Sequence, residues 1–187
     1  MNERFEVLST PLKGLMVLER RPLGDSRGQL ERMFCSQELA PHLDGASFIQ
    51  SNLTWTSTRG TVRGMHLQVP PHAEDKIVTC LRGRVWDVAV DVREGSPTFL
   101  QWHAEILDGE GHRSFLIPRG FAHGFQTLSD DCTMLYFHTA AHSPAAEMGL
   151  DALDPRLSIP WPEPVTIRSE RDASHPRISD AFRGVRL

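Results

Sequence analysis

Short apolar runs, broken at close intervals by turn residues, restrict the fold of this chain more than any other feature. Candidate strands cover 15–19, 46–56, 61–68, 76–81, 84–92, 99–107, 113–117, 122–128 and 132–139. Between them stand Arg59-Gly60, Val69-Pro70-Pro71, Arg82-Gly83, Gly95-Ser96-Pro97, Asp108-Gly109, Pro118-Arg119-Gly120 and Ser129-Asp130-Asp131. Glycine tolerates the backbone angles of tight turns, and proline presets one of them. Strands so short and so regularly punctuated predict an antiparallel sandwich, jelly roll or barrel. Helical signal is thin: only 36–43 reads as a short helix, with Ser36 as its N-cap and Pro41 near its end.

The run 84–92 alternates with period two. Trp86, Val88, Val90 and Val92 share one face; Val85, Asp87, Ala89 and Asp91 share the other, which is expected to meet solvent or a polar cavity. From Pro144 onward, prolines at 155, 160, 162, 164 and 176 break up regular structure, so this tail is expected to wrap the barrel. With 187 residues, the chain is expected to form one domain, 1–187.

Composition removes several function classes. No apolar run reaches the roughly 18–20 residues of a membrane span, and Met1-Asn2-Glu3-Arg4-Phe5-Glu6 lacks the apolar stretch of a signal peptide. A net charge of −4 gives no field for binding nucleic acid in bulk. Cys35, Cys80 and Cys132 form neither a C-x-x-C pair nor a disulfide framework, which suits a cytoplasmic protein.

Nine histidines raise a metal hypothesis. A cupin metal site reads His-x-His on one strand, whereas here Gly64-Met65-His66-Leu67-Gln68 puts an amide in the second ligand position. A neutral amide is a poor substitute for imidazole. His123 is left as a lone candidate, with Glu74 as a weak companion. Two segments concentrate chemistry instead. The first runs from Gly60 through Arg63 and His66 to Lys76; the second is Ile117-Pro118-Arg119-Gly120-Phe121-Ala122-His123-Gly124-Phe125. Strand parity separates Arg63 from His66, so a shared pocket needs a β-bulge, or else Arg63 serves a neighbouring subunit. Taken alone, a strand histidine is more often a hydrogen-bonded core residue, and Tyr136, the only tyrosine, reads as an amphipathic wall residue.

In combination these segments are far more specific. Asp25-Ser26-Arg27-Gly28, Gln50-Ser51-Asn52, Arg63-Gly64-Met65-His66-Leu67-Gln68, Asp87-Val88-Ala89-Val90-Asp91-Val92-Arg93, Gly95-Ser96-Pro97-Thr98, the Ile117–Phe125 segment and Asp154-Pro155 with Ile159-Pro160-Trp161-Pro162 occur in order. In these motifs the chain resembles the dTDP-4-dehydrorhamnose 3,5-epimerase family across roughly residues 15–176. The resemblance implies an all-β, cupin-type jelly-roll barrel with few short helices. It also implies inversion of the carbons flanking the ketone of a nucleotide-diphosphate 4-keto-6-deoxyhexose. Protons α to a carbonyl are acidic enough for a side-chain base, so neither metal nor other cofactor is expected.

The resemblance carries roles residue by residue. His66 matches the base, Asp172 the aspartate that orients it, Tyr136 the proton donor on the opposite sugar face, and Lys76 the cation facing the C4 oxygen. Arg27 and Arg63, helped by Arg171, match diphosphate-binding positions; Gln50, Ser51, Asn52, His123 and Glu147 match other substrate contacts. Two positions depart from the family pattern where the nucleobase is read. His142 stands where a tyrosine stacks on thymine, and Arg32 replaces a glutamate, with Glu31 one place earlier. Alternatives are a 3-epimerase, an enzyme for GDP- or CDP-linked keto sugars, a metal-dependent cupin oxygenase and a non-catalytic sugar-nucleotide-binding module. The resemblance also implies a homodimer with exchanged N-terminal strands.

Overall fold

The computed structural model describes residues 3–187. Met1 and Asn2, the start of the segment read for a leader, lie outside the described residues. In chain order the elements are β1 (Phe5–Ser9), β2 (Met16–Arg20), β3 (Leu23–Asp25), β4 (Gly28–Leu30), α1 (Ser36–Leu39), β5 (Gln50–Thr56), β6 (Val62–Gln68) and β7 (Lys76–Arg82). They continue with β8 (Arg84–Asp91), β9 (Trp102–Asp108), β10 (Arg113–Ile117), β11 (Phe121–Thr127), β12 (Cys132–His138), β13 (Glu147–Gly149) and α2 (Glu170–Ala173). A six-stranded sheet, β1-β2-β10-β7-β12-β5, faces a five-stranded sheet, β13-β6-β11-β8-β9, and β3-β4 form a separate hairpin. Every strand pairing within these sheets is antiparallel, as the turn spacing predicts for a jelly roll.

Period-two alternation sorts the side chains into layers. Val17, Val78, Phe115 and Met134 from the first sheet meet Val85, Ala89, Phe121 and Phe125 from the second in the space between them. The other face of β8 carries Val88 and Val90, with Trp86 packed beside them, and the tail covers it. Leu150, Ala152, Leu157, Ile178 and Val185 are buried there, and Trp161 meets Trp86 edge-on with ring centres 5.5 Å apart. At about 1.5–3 kcal/mol per buried aliphatic side chain, this burial outweighs any single polar contact the tail makes. On the outer face of the first sheet, Leu39 and Leu43 pack against Leu18, Ile77 and Leu116. Along β5 that face is left open: Leu53 and Trp55 are 61% and 57% exposed.

Several expectations are corrected. Cys35, not Ser36, holds the N-cap position of α1, and it makes no side-chain capping bond; Ser36 is already helical. The tail is not wholly irregular, since it contributes β13 and α2. Residues 46–49 lie outside β5. The aspartates of β8 do not see solvent: Asp91 is fully buried and accepts hydrogen bonds from Arg93, Ser96 and Thr98, and Asp87 is fully buried against His123. The inner face of a sandwich tolerates a carboxylate only where donors meet it.

Candidate active site

A cavity of about 620 Å³ opens between the sheets, lined mainly by β5, β6, β7, β11 and β12 and by the tail. Its second-sheet wall depends on an irregularity in β6. His66 pairs with His123 and Arg63 with Phe125, so Gly64 and Met65 together face Gly124. This bulge reverses the parity of the strand. Val62, Met65 and Leu67 pack in the layer under the tail, Val62 and Leu67 also touching the cavity, which Arg63, His66 and Gln68 line. Gly64 adopts φ +125°, and a Cβ there would lie 2.6 Å from Gly124 Cα, so only glycine fits. One chain thus delivers both Arg63 and His66 to one pocket.

The tail completes this wall. Asp172 stands in α2, whose N-terminus is capped by Ser169 Oγ accepting from the Asp172 N–H. Asp172 Oδ1 is 2.8 Å from His66 Nε2, and Oδ2 accepts the Gly64 N–H at 3.0 Å. Burial opposes the charge on Asp172, but the hydrogen bonds from His66 and Gly64 prevail and hold its carboxyl well below the usual range. Above them Glu147 joins Arg171, at 3.3 Å, to His142, at 3.2 Å. Arg63 donates to Thr56 Oγ1 and to the Trp55 carbonyl.

The first-sheet wall is built on alternate residues of β12. Tyr136 and His138 stack with ring centres 6.0 Å apart, and Tyr136 lies edge-on to His123 at 6.2 Å. Burial, with a smaller contribution from the Asp87 charge, pushes the Tyr136 hydroxyl well above its ordinary value. His138 Nδ1 is 2.9 Å from Glu74 Oε2, and Lys76 Nζ is 3.1 Å from Glu74 Oε1. Burial would raise the Glu74 carboxyl, but the His138 hydrogen bond and the Lys76 charge bring it down to about 2. His123 Nε2 lies 2.9 Å from Asp87 Oδ1, and burial pushes Asp87 up despite that partner.

The fold therefore brings together His66, Asp172, Lys76, Tyr136, Gln50, Asn52, Arg63, His123, His142, Glu147 and Arg171. It does not bring in Arg27 or Ser51. Arg27 lies between β3 and β4, with its side chain 88% exposed and paired to Asp25. Ser51 points away from the cavity, its neighbours Gln50 and Asn52 into it. Gln68 acts as a brace: its amide donates to the His72 and Ala141 carbonyls and accepts the Ser143 N–H. Glu31 is occupied by Arg20 and His112, and Arg32 by Glu38. Glu74 does not accompany His123, whose partner is Asp87.

Sequence reasoning missed His138 and His175. His138 shares strand parity with Tyr136, a signal available two residues away. His175 has no such signal. Its ring lies over Gly149, where a Cβ would come within 2.2 Å, and tertiary packing alone places it by His66. The ligating atoms of His66, Asp172 and His175 fall within 4.8 Å of one another. A cation there would meet the Arg171 guanidinium, whose Nε is 3.5 Å from Asp172 Oδ1. That charge disfavours a metal at these three side chains.

Comparison with known proteins bears on the same site. Residues 9–180 match the family described as dTDP-4-dehydrorhamnose 3,5-epimerase. The dTDP-4-dehydrorhamnose 3,5-epimerase of Sinorhizobium fredii is 37% identical over 177 residues, 94% of this chain and 90% of that protein. The crystal structure of the enzyme of that name from Elizabethkingia anophelis superposes with a TM-score of 0.90 at 36% identity, covering 96% of this chain and 100% of that one. A dTDP-6-deoxy-D-glucose-3,5-epimerase from Legionella pneumophila, solved with dTDP-4-keto-L-rhamnose, gives 0.89 at 37% identity and covers 98% of both chains. Identity at this level over nearly the whole length, on a shared fold, shows that the chain belongs to the dTDP-4-dehydrorhamnose 3,5-epimerase family.

Proposed function

We propose that this chain inverts C3 and C5 of a dTDP-linked 4-keto-6-deoxyhexose through an enolate at C4. The observation that carries the reading is one cavity with a histidine–carboxylate pair on one wall and a phenol with a lysine on the other. His66 takes the proton α to the ketone, and Asp172 steadies the imidazolium that forms. Lys76 faces the oxygen on which negative charge develops. Tyr136, on the opposite sheet, is placed to deliver a proton to the other sugar face. Arg63 and Arg171 supply positive charge for the diphosphate. Gln50, Asn52, His123, His142 and Glu147 complete the lining.

Incubation in D₂O with dTDP-, UDP-, GDP- and CDP-linked 4-keto-6-deoxyhexoses, read by mass spectrometry, tests this. Two carbon-bound deuterons on the dTDP sugar are expected. One deuteron reduces the reaction to a single carbon, and uptake confined to another nucleotide moves the substrate. No uptake above a no-enzyme control, with any sugar, overturns the reading.

We further infer a homodimer and a single domain. The exposed Leu53 and Trp55 on β5 suit burial against a second copy, and the tail donates Asp172 to the barrel's own cavity. A dimer would also give the outlying Arg27 and Ser51 a second cavity to serve. Light scattering should report twice the chain mass, and Trp55→Glu should shift it toward the monomer. A wild-type monomer removes the dimer. No helix among the described residues is long and apolar enough to cross a membrane. The free thiols of Cys35, Cys80 and Cys132 agree with a cytoplasmic setting.

A further inference from the structure

We propose that His175 is a positioning residue for the His66–Asp172 pair: its ring braces the His66 imidazole and closes the open side of Asp172 Oδ1. The proposal deepens the epimerase reading and rests on it.

The base needs such a brace. The His66 side chain is 32% exposed, so its own strand leaves much of the ring without packing. Asp172 holds one nitrogen of that ring, and the other is left for the substrate proton. A single hydrogen bond fixes a nitrogen but not the tilt of the ring plane. General-base catalysis depends on that tilt, because the free nitrogen has to stay in line with the C–H bond.

His175 stands where it can set the tilt. Its ring meets the His66 ring edge-on, with centres 5.6 Å apart and planes at 78°. Its Nε2 lies 3.8 Å from Asp172 Oδ1, the oxygen that meets His66 Nε2 at 2.8 Å. Two imidazoles therefore border one carboxylate oxygen, and only His66 is within hydrogen-bond range. His175 Nε2 is buried and has no hydrogen-bond partner among the described residues. The ring acts on the pair by packing and does not compete for its hydrogen bond. Burial and the nearby His66 lower His175 below the ordinary histidine value, against the pull of Asp172. Around it stand His66 from β6 and Asp172, Arg171 and Arg168 from its own segment, while β13 brings it the uncharged Gly149.

Gly149 independently supports this placement. β13 pairs with β6 so that Gly149 lies opposite His66. Gly149 does not take a positive φ, so no turn requires glycine there. A Cβ at this position would instead collide with the His175 ring. The strand beside the base is thus kept clear for a second imidazole.

Docking of the tail does not need the His175 side chain. On one side Arg168 donates to Asp151 Oδ1 and to the Asp172 carbonyl, both at 2.7 Å. On the other, the Asp151 N–H donates to the Pro176 carbonyl, and Ile178 is buried in the layer under the tail. The backbone at His175 is therefore held from both directions, and its ring can be changed while Asp172 stays in place.

The test combines turnover of dTDP-4-keto-6-deoxyglucose with proton NMR of the enzyme without substrate. His175→Ala should lower kcat about tenfold with KM within twofold, because a loosened base loses alignment and not binding. Gly149→Ala keeps the imidazole but displaces it, and should lose as much. His175→Phe restores an edge-on ring without a nitrogen and should return kcat to within threefold of wild type. In the NMR spectrum, the His66 N–H held by Asp172 should give a far-downfield signal, identified by its absence in His66→Ala. That signal should persist in His175→Phe and broaden by exchange with water in His175→Ala and Gly149→Ala. Wild-type kcat and an unbroadened signal in His175→Ala overturn the proposal. So does a His175→Phe variant as impaired as His175→Ala. A wild-type protein without turnover on any keto sugar removes the epimerase reading, and the NMR comparison still decides whether His175 braces the pair.

Discussion

Each wall of the cavity holds a histidine against a buried carboxylate, yet the two walls are assembled by different means. On the second-sheet wall the partners are 106 residues apart, and Asp172 arrives on a short helix in the tail. On the first-sheet wall Glu74 sits just before β7, the strand that pairs β12 residue by residue, with His138 opposite Lys76. The His66 side chain is 32% exposed and that of His138 12%. A pair set by strand register is fixed once the sheet forms. A pair supplied by a docked tail exists only while the tail stays docked. The first kind holds its imidazole firmly within the sheet, and the second ties the proposed base to completion of the fold.

The largest expected effect is on the exposed wall. His66→Ala should reduce deuterium uptake at C3 and C5 by about 10³, the middle of the range for a general base. Uptake at the wild-type rate would take the base off this wall. Asp172→Asn should lower kcat by about 10² with a smaller change in KM, because the imidazolium loses its counter-charge. If kcat is unchanged, the tail contributes anchoring and no chemistry. On the opposite wall, Tyr136→Phe should lower kcat by about 10² with KM within twofold, because the proposed donor to the other sugar face is lost. An unchanged kcat would take the donor role from Tyr136.

The smallest effect separates the walls by pH. Asp172 is held below its ordinary value of about 3.9 in the folded protein, and Glu74 is brought to about 2. Both carboxylates bind protons more readily in the unfolded chain. Their stabilisation is present above about pH 4 and is lost as pH falls toward their folded values. Thermal melts from pH 6 to pH 3 should therefore show a falling Tm. Asp172→Asn and Glu74→Gln should each flatten that fall by removing one carboxylate. A slope unchanged in Asp172→Asn would show that the tail contact gives no pH-linked stability.

Much of this architecture was legible from local pattern. The expected strand 113–117 coincides with β10, and those at 61–68, 84–92 and 132–139 differ from β6, β8 and β12 by a residue at an end. Alternation in β8 sorted Val85 and Ala89 from Val88 and Val90 correctly. It failed for the aspartates, because period tells which side chains share a face and not what covers that face. β1, β3, β4 and β13 were missed; three of the four are three-residue strands with too little sequence to show a period. Most of the proposed site was named from motifs. His138 was not, because its pairing with Glu74, which stands just before the neighbouring strand β7, is made only in the folded sheet.

By itself the sequence determined the fold class, most of the longer strands and the candidate site residues, because these follow from residue type, motif and short-range period. It also posed the conflict between Arg63 and His66 without resolving it. Tertiary structure decided that conflict through the Gly64–Met65 bulge against Gly124, which strand pairing alone can create. It decided as well which carboxylate meets which histidine: Asp172 with His66, Glu74 with His138, Asp87 with His123. Charge pairing acts across a few ångströms of space, and the distance between two residues along a chain carries no record of it.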